Sequence, residues 1–466
     1  MTTQTTMTNF TLRPHQKDMV TAMGSADKGI IQCPTGGGKT FTIITNCKQY
    51  LQPGKVVVVV APQLLLSEQL FNEFDKHLAD VDFVWRQVSS EGKSFQRNRR
   101  GLTFRPIPPA SPTTTVEEIV ESYDHAVRVG KPLILFTTYK SLGRIAAADI
   151  SVEVVYYDEA HNCVASDNFQ SVKSMSGVAK RHYFFTATPR RGFGEVSMDN
   201  ENIFGEVICT VNFNDLVKQG IIVTPKLRLV QSNATTQDGL EFNLNVKTMK
   251  EVVEHAELGV AAPKLLFCTQ GTKSIGDILD SNFVGWAQSK GYKVLAIDSK
   301  NQGYVDGQRG LNKGKFLNQL NTLGSIVDQK LIVMHYSMLG EGIDVKAFTG
   351  VIFLRKSMGD VFATQSIGRV IRSAPGKTHG NVVVVQHADD TDSVRSLISD
   401  IVRSLIEAGV PLESFLNEED GRAEEDEVVE DLPEDIIKNI KDVVAEYHWS
   451  NMLSELLGTD VEEFAF

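Results

Sequence analysis

Ten short apolar runs, rich in valine and isoleucine and separated by stretches of helical character, restrict the fold more than any other feature of this chain. The first half holds GIIQC (29–33), KVVVVVAP (55–62), PLILFTT (132–138), VEVVYYDEAH (152–161) and HYFFTAT (182–188). The second half holds KLLFCTQ (264–270), KVLAIDS (293–299), KLIVMHYS (330–337), GVIFLR (350–355) and NVVVVQ (381–386). Runs without polar alternation suit strands buried on both faces of a parallel sheet. Alternation with helical segments indicates right-handed βαβ units. The sequence therefore predicts an α/β protein with two parallel sheets in series and a short helical extension at the C-terminal end.

At 466 residues the chain exceeds a single ordinary core. We expect a first domain over 1–222, a second over 223–410, and an acidic linker with one or two helices over 411–466. The join is placed in FNDLVKQGIIVTPKL (213–227), where a helix ending near Gly220 meets a Thr-Pro step. Residues 86–116 read as a polar, proline-rich insertion with no helical or strand period.

No apolar run approaches the roughly 20 residues that span a bilayer. The start, MTTQTTMTNF, lacks a basic segment and an apolar core, so secretion is not expected. The five cysteines are scattered without a CxxC pair, which argues against a disulfide framework or zinc site and for a reducing cytoplasmic setting. The net charge of −11 is unevenly placed. Eleven acidic residues against Arg422 lie between Glu418 and Asp435, so the remainder is close to neutral and total charge does not exclude a nucleic-acid partner.

Polar clusters follow the carboxyl ends of the predicted strands, where open parallel sheets bind ligands. In CPTGGGKT (33–40), Thr35 and the backbone N–H groups of Gly36, Gly37 and Gly38 could face phosphate oxygens. Lys39 would bring charge to the β/γ-phosphates, and Thr40 would offer its hydroxyl to Mg²⁺. Cys33 stands where the usual phosphate-loop pattern has its first glycine.

DEAH (158–161) supplies adjacent carboxylates, Asp158 for Mg²⁺ and Glu159 to orient and deprotonate water. The H-E-x-x-H spacing of a zinc site is absent. His161 lies beyond reach of the same task and is expected to relay nucleotide state. TATPRR (186–191) brings Thr186 and Thr188, and GEGID (340–344) brings Gly342 and Asp344. QSIGRVIR (365–372) sets Arg369 and Arg372 three apart on a predicted helix, one face presenting both planar guanidiniums to phosphate.

In this order the motifs resemble those of the superfamily 2 helicases and translocases, specifically the DExH branch, across residues 10–375. FTLRPHQ (10–16) resembles the adenine-recognition element, with Gln16 as base reader. PTGGGKT matches motif I, APQLLLSEQ (61–69) motif Ia, TTYKSL (137–142) motif Ib, DEAH motif II and TAT motif III. FCTQGTKS (267–274) matches motif IV, SMLGEGIDV (337–345) motif V, and QSIGRVIR, beginning at Gln365, motif VI.

The resemblance implies two RecA-like domains, ATP and Mg²⁺ in the cleft between them, and arginines from the second domain completing hydrolysis. Thr186 and Thr188 would couple the domains, and Thr138 and Gln270 would belong to the nucleic-acid grip. LRPHQ and Gln365 favour the DNA-directed group with the restriction-enzyme translocases and the phage UvsW-type helicases. The chain would then be a DNA helicase or translocase, expected as a monomer, acting in recombination, repair or replication in a bacterium or phage-infected cell. An RNA helicase, and a nucleotide-gated DNA-binding switch that does not translocate, are the alternatives.

Between Arg86 and Arg105 six cations face one acid, Glu91, with Phe95 and Phe104 interleaved. Arg97, Arg99, Arg100 and Phe95 are therefore candidate DNA contacts, because cations neutralise phosphates and rings stack on bases. The acidic segment 418–435 reads as a solvated linker, with a DNA-mimicking autoinhibitory tail or a partner-binding arm as the alternatives.

Overall fold

The computed structural model describes residues 11–62, 64–90, 97–99, 102–104, 112–190, 195–232, 246–256, 260–298, 302–336, 348–355, 360–387, 391–411, 414 and 434–457. These form two compact units, Met1–Cys33 with Gly38–Val211, and Pro34–Gly37 with Asn212–Phe466.

The first unit is built on strands β1 (Lys28–Gln32), β2 (Val56–Ala61), β3 (Val84–Val88), β4 (Arg97–Arg99), β5 (Leu102–Phe104), β6 (Leu133–Thr138), β7 (Val154–Tyr157), β8 (His182–Thr186) and β9 (Val207–Thr210). Seven of them form one sheet in the order β3-β6-β2-β7-β8-β1-β9, with every pairing parallel. Helices α1 (Pro14–Ser25), α2 (Lys39–Cys47), α3 (Leu64–His77), α4 (Val116–Arg128), α5 (Tyr139–Ala146), α6 (Ser166–Ser176) and α7 (Glu201–Phe204) alternate with the strands. Val56 to Val60 are buried on both sides of the sheet, which is why the run carries no polar alternation.

The insertion differs from the expectation of a patternless stretch. Its first residues complete β3, β4 pairs antiparallel with β5, and α4 begins at Val116. Arg86 is a buried residue of β3 whose guanidinium bonds the Glu118 carboxylate, so it leaves the basic set proposed for DNA.

The second unit opens with α8 (Phe213–Lys218) and β10 (Thr224–Ser232), followed by α9 (Val246–Ala256), β11 (Lys264–Thr269), α10 (Thr272–Asp280), α11 (Phe283–Ser289) and β12 (Tyr292–Asp298). Then come β13 (Gln302–Val305), β14 (Gln308–Leu311), α12 (Lys313–Ser325), β15 (Lys330–His335), β16 (Gly350–Leu354), α13 (Asp360–Val370), β17 (His379–His387), α14 (Thr391–Glu407) and α15 (Glu434–Leu457). Its sheet runs β10-β17-β16-β11-β15-β12-β13-β14, parallel as far as β12 and antiparallel across the last two strands. Both units are α/β, as the apolar runs predicted, and the architecture resembles RecA-like helicase domains.

The Thr-Pro step read as a break is the start of β10. Pro225 is tolerated because β10 is an edge strand, where a missing N–H leaves no ladder bond unmade. At the far end, Glu434 and Asp435 open α15 and do not belong to a linker. Asp435 pairs with Arg395 of α14 at 2.8 Å, and Ile436, Ile440, Val443 and Val444 are buried. Among the described residues no helix is long and apolar enough to cross a membrane.

Candidate functional site

In the first unit the chemistry gathers at the carboxyl ends of three adjacent strands, β7, β8 and β1. Beyond β1 the chain must turn at once into α2, and two glycines make that possible. Gly36 and Gly38 both sit at φ +86°, in the left-handed region that disfavours side chains. Gly38 caps α2, and its carbonyl accepts from the Thr42 N–H at 3.2 Å. The Gly37 N–H donates to the Pro34 carbonyl at 3.0 Å, so it is committed within the loop itself.

Cys33 follows β1 directly. Its N–H donates to the Thr186 carbonyl at 2.8 Å, and burial pushes its thiol up to about 12 against the opposing pull of Lys39. A buried, neutral thiol fills the strand end and has no nucleophilic role there.

Lys39 is buried, 7% exposed, and its ammonium lies 3.2 Å from Glu159 Oε1 and 3.4 Å from the Cys33 carbonyl. Burial would lower its pKa, but Glu159 and Asp158 outweigh burial and hold it above the usual lysine range. Burial would likewise raise Glu159, yet Lys39 and then His161 hold it below the usual carboxylate range. Asp158 goes the other way. Burial, reinforced by the Glu159 charge, lifts its carboxyl to about 7 although Lys39 opposes the shift. Two neighbouring carboxyls are thus driven apart, Asp158 upward by burial and Glu159 downward by the Lys39 charge.

Glu159 occupies φ 48°, ψ 56°, a left-handed conformation that costs a non-glycine residue about 1 kcal/mol or more. The Glu159 N–H donates to Asp158 Oδ1 at 3.2 Å, and the Tyr139 hydroxyl donates to the Asp158 carbonyl at 2.8 Å. Tyr139 comes from the first turn of α5, so the stretch matching motif Ib is bonded directly to the stretch matching motif II. Tyr139 stands within TTYKSL, but no sequence pattern gives it a role.

His161 Nδ1 lies 3.2 Å from the Thr186 hydroxyl and 3.8 Å from Glu159 Oε2, joining the ends of β7 and β8. The Thr186 hydroxyl donates onward to the Thr188 carbonyl at 3.0 Å. Gln16 Nε2 donates to the Gly38 carbonyl at 3.4 Å, while its Oε1 accepts from the Arg13 N–H at 3.0 Å. Gln16, Lys39, Asp158, Glu159, His161 and Thr186 therefore sit in one network of the first unit.

The donor set fits a hard cation. Asp158 offers a desolvated carboxyl and Thr40, in the first turn of α2, offers a hydroxyl. Among the described residues no group of three histidine, cysteine or acidic side chains could hold a metal. Asp158 and Thr40 offer oxygen atoms, the donor type that Mg²⁺ takes while keeping water among its other ligands.

Other candidates fall elsewhere. Thr138 is buried, with its hydroxyl 3.5 Å from Ser141 Oγ, and Gln270 is exposed beyond β11. Arg97 and Arg99 stand in β4, but their side chains lie outside the described residues, as do Phe95, Arg100, Gly342, Asp344 and the side chain of Gln365. Arg369 is a buried residue of α13. Arg372 corrects the expectation of one helical face. The helix ends at Val370, and Arg372 forms an antiparallel bridge with Ile222.

Residues 9–191 match the family model for the type III restriction enzyme, res subunit. Among solved structures, the ATP-dependent Type ISP restriction-modification enzyme LlaBIII bound to DNA aligns at TM-score 0.68 and 18% identity, covering 96% of this chain and 34% of that one. A nuclease-deletion mutant of the Type ISP enzyme LlaGI, in complex with a DNA substrate mimic, aligns at 0.64 and 17%, covering 96% and 33%. A DEAD box protein from the hyperthermophile Methanococcus jannaschii aligns at 0.52 and 13%, covering 83% and 91%. The chain spans about a third of the length of the two restriction-modification enzymes. No protein of curated function matches the chain.

The fold of the chain is that of these solved proteins, the DEAD box protein among them. Within that fold, residues 9–191 are the part similar to the restriction-enzyme res-subunit family.

Proposed function

We propose that this protein is an ATP-driven helicase or translocase that remodels duplex or branched DNA in recombination, repair or replication. The observation that carries the reading is the buried Lys39–Glu159 pair beside Asp158, set beyond a left-handed glycine turn at the start of α2. A polyphosphate entering this turn competes with Glu159 for the Lys39 ammonium. As Lys39 turns to phosphate oxygens, Glu159 loses the charge that suppresses its basicity and becomes able to accept a proton from water. Mg²⁺, held through Asp158 and Thr40, would neutralise charge on the phosphates. Arg369 and Arg372 are assigned to the charge that develops on the transferred phosphoryl group, which planar guanidiniums match. His161 and Thr186 would pass the state of Glu159 to the Thr188 turn.

DNA as the partner is supported by the res-subunit match and by the two restriction-modification enzymes solved with DNA or a DNA mimic. The test is ATP turnover with single-stranded, duplex, forked and four-way DNA, alongside RNA. Stimulation by DNA, abolished by Lys39→Ala, is expected. Stimulation by RNA alone would overturn the choice of partner.

A further inference from the structure

Lysine is seldom buried without a carboxylate, yet Lys377 is 9% exposed and its ammonium is bonded to three backbone carbonyls. It donates to Phe348 at 2.6 Å, to Arg372 at 2.8 Å, and also to Val370. An ammonium has three N–H donors, and all three are used. Burial brings this lysine down to about 7, the Arg372 charge pushing the same way, so the site holds a cation at a cost. The compensation comes from charge-assisted bonds and from the negative end of α13, which terminates at Val370.

Of the three carbonyls, that of Val370 is one the helix leaves unsatisfied at its end, and that of Arg372 lies just beyond. Lys377 takes Val370 and Arg372, and the Val223 N–H takes Ile371 between them at 2.8 Å. Three consecutive carbonyls are thereby fixed, and the Ile222 bridge holds Arg372 from another side. Gly380 closes the remaining side. A Cβ there would lie 2.5 Å from the Val370 carbonyl oxygen, a contact only a shift of backbone could relieve. An apolar side chain would avoid the desolvation of the ammonium but would deprive these carbonyls of its N–H donors. What the ammonium supplies is direction, because it converges three carbonyls on one point.

We propose that Lys377 is a positioning residue for Arg369 and Arg372, clasping the end of α13 to Phe348 so that both guanidiniums leave the backbone in a fixed direction. The proposal rests on the ATP-hydrolysing function proposed above. Its consequence is a loss of turnover without a loss of ATP binding, because the arginines act on charge that appears only in the transition state.

Steady-state ATP turnover of the full chain with duplex DNA tests it. Lys377→Met is expected to lower kcat about tenfold or more while KM for ATP moves less than about twofold. Arg372→Ala alone should lower kcat, and the Lys377→Met/Arg372→Ala pair should fall no further than Arg372→Ala. Lys377→Arg should not rescue, since a planar fork cannot converge on three carbonyls. An unchanged kcat in Lys377→Met, or losses that multiply in the pair, would overturn the clasp. If Lys377→Met does not fold by circular dichroism, Gly380→Ala replaces it, pressing the same Val370 carbonyl, and the same two criteria decide. Lys39→Ala separates the levels. ATP turnover surviving Lys39→Ala defeats the proposed function, whereas loss in Lys39→Ala with full kcat in Lys377→Met defeats only the clasp.

Discussion

Each unit gathers cations at the ends of its strands, but the two neutralise them by opposite means. In the first, Lys39 is met by a carboxylate, Glu159, which in turn lies 3.8 Å from His161. In the second, Lys377 is met by carbonyls, and Arg355 lies over the rings of Tyr336 and Phe362 at 4.9 and 4.5 Å. A carboxylate partner can be exchanged for a phosphate of the same sign, so the first arrangement is built to be displaced. Backbone carbonyls and aromatic faces cannot leave, so the second is built to stay. On the function proposed above, the contrast separates a site that would switch from a support that would not.

The largest effect should come from breaking the exchangeable pair. Glu159→Gln is expected to lower ATP turnover by about 10²- to 10⁴-fold, with ATP binding retained or tightened, as measured by single-turnover hydrolysis and equilibrium binding. Turnover within a few fold of the parent would show that Glu159 is not the base. Next in size is His161→Ala, which removes one of the two partners of the Thr186 hydroxyl. Its expected effect is several-fold on the stimulation of ATPase by DNA and smaller on the unstimulated rate.

Replacing Arg97, Arg99 and Arg100 together with alanine should weaken DNA stimulation and reduce its salt dependence, by about one unit of log–log slope for each phosphate left without its arginine. Unchanged salt dependence would remove the β4–β5 hairpin from the DNA-binding surface.

A pH titration sharpens the comparison on the side of stability. His182, at the head of β8, is buried, and burial lowers it to about 4 against the pull of the Ala179 carbonyl. Its Nε2–H donates to that carbonyl at 3.1 Å, leaving Nδ1 to accept from the Tyr157 hydroxyl at 3.3 Å, which is the neutral tautomer. The unfolded chain therefore binds this proton first. The stability it contributes is complete above about pH 6.5 and is lost as pH falls toward 4, by about 3 kcal/mol in all. His182→Gln should flatten that slope in denaturant unfolding monitored between these limits.

The smallest effect should come from Cys33→Gly, which restores the usual phosphate-loop glycine. ATP affinity should stay within about twofold, because the Cys33 thiol is buried behind the strand end and the loop's left-handed positions are Gly36 and Gly38. A marked gain in affinity would mean that Cys33 distorts the loop.

Continuous valine and isoleucine made both parallel sheets legible, since burial on two faces leaves a signature in composition alone. Strand β3 escaped because VWRQV mixes charge and aromatics, and Arg86 can be buried only through Glu118, thirty-two residues away. Strand β10 escaped because Pro225 reads as a break unless the strand is known to lie at an edge. The phosphate loop and DEAH were legible because their residues are contiguous. The pairing of Lys39 with Glu159 was not, nor was the role of Tyr139, because those contacts depend on strand order. Arg372 was misplaced because a spacing of three describes a helix only while the helix lasts, and this one stops at Val370.

The outer margin of the second sheet carries a further consequence. Its last strand, β14, presents exposed Gln308, Arg309 and Gly310, with Gly310 at φ +77°, and Arg309 is tethered to Asp280 at 2.5 Å. A charged, twisted and short border of this kind offers a poor template for a neighbouring copy's backbone. Pairing of β14 with the same strand of a second copy is therefore disfavoured.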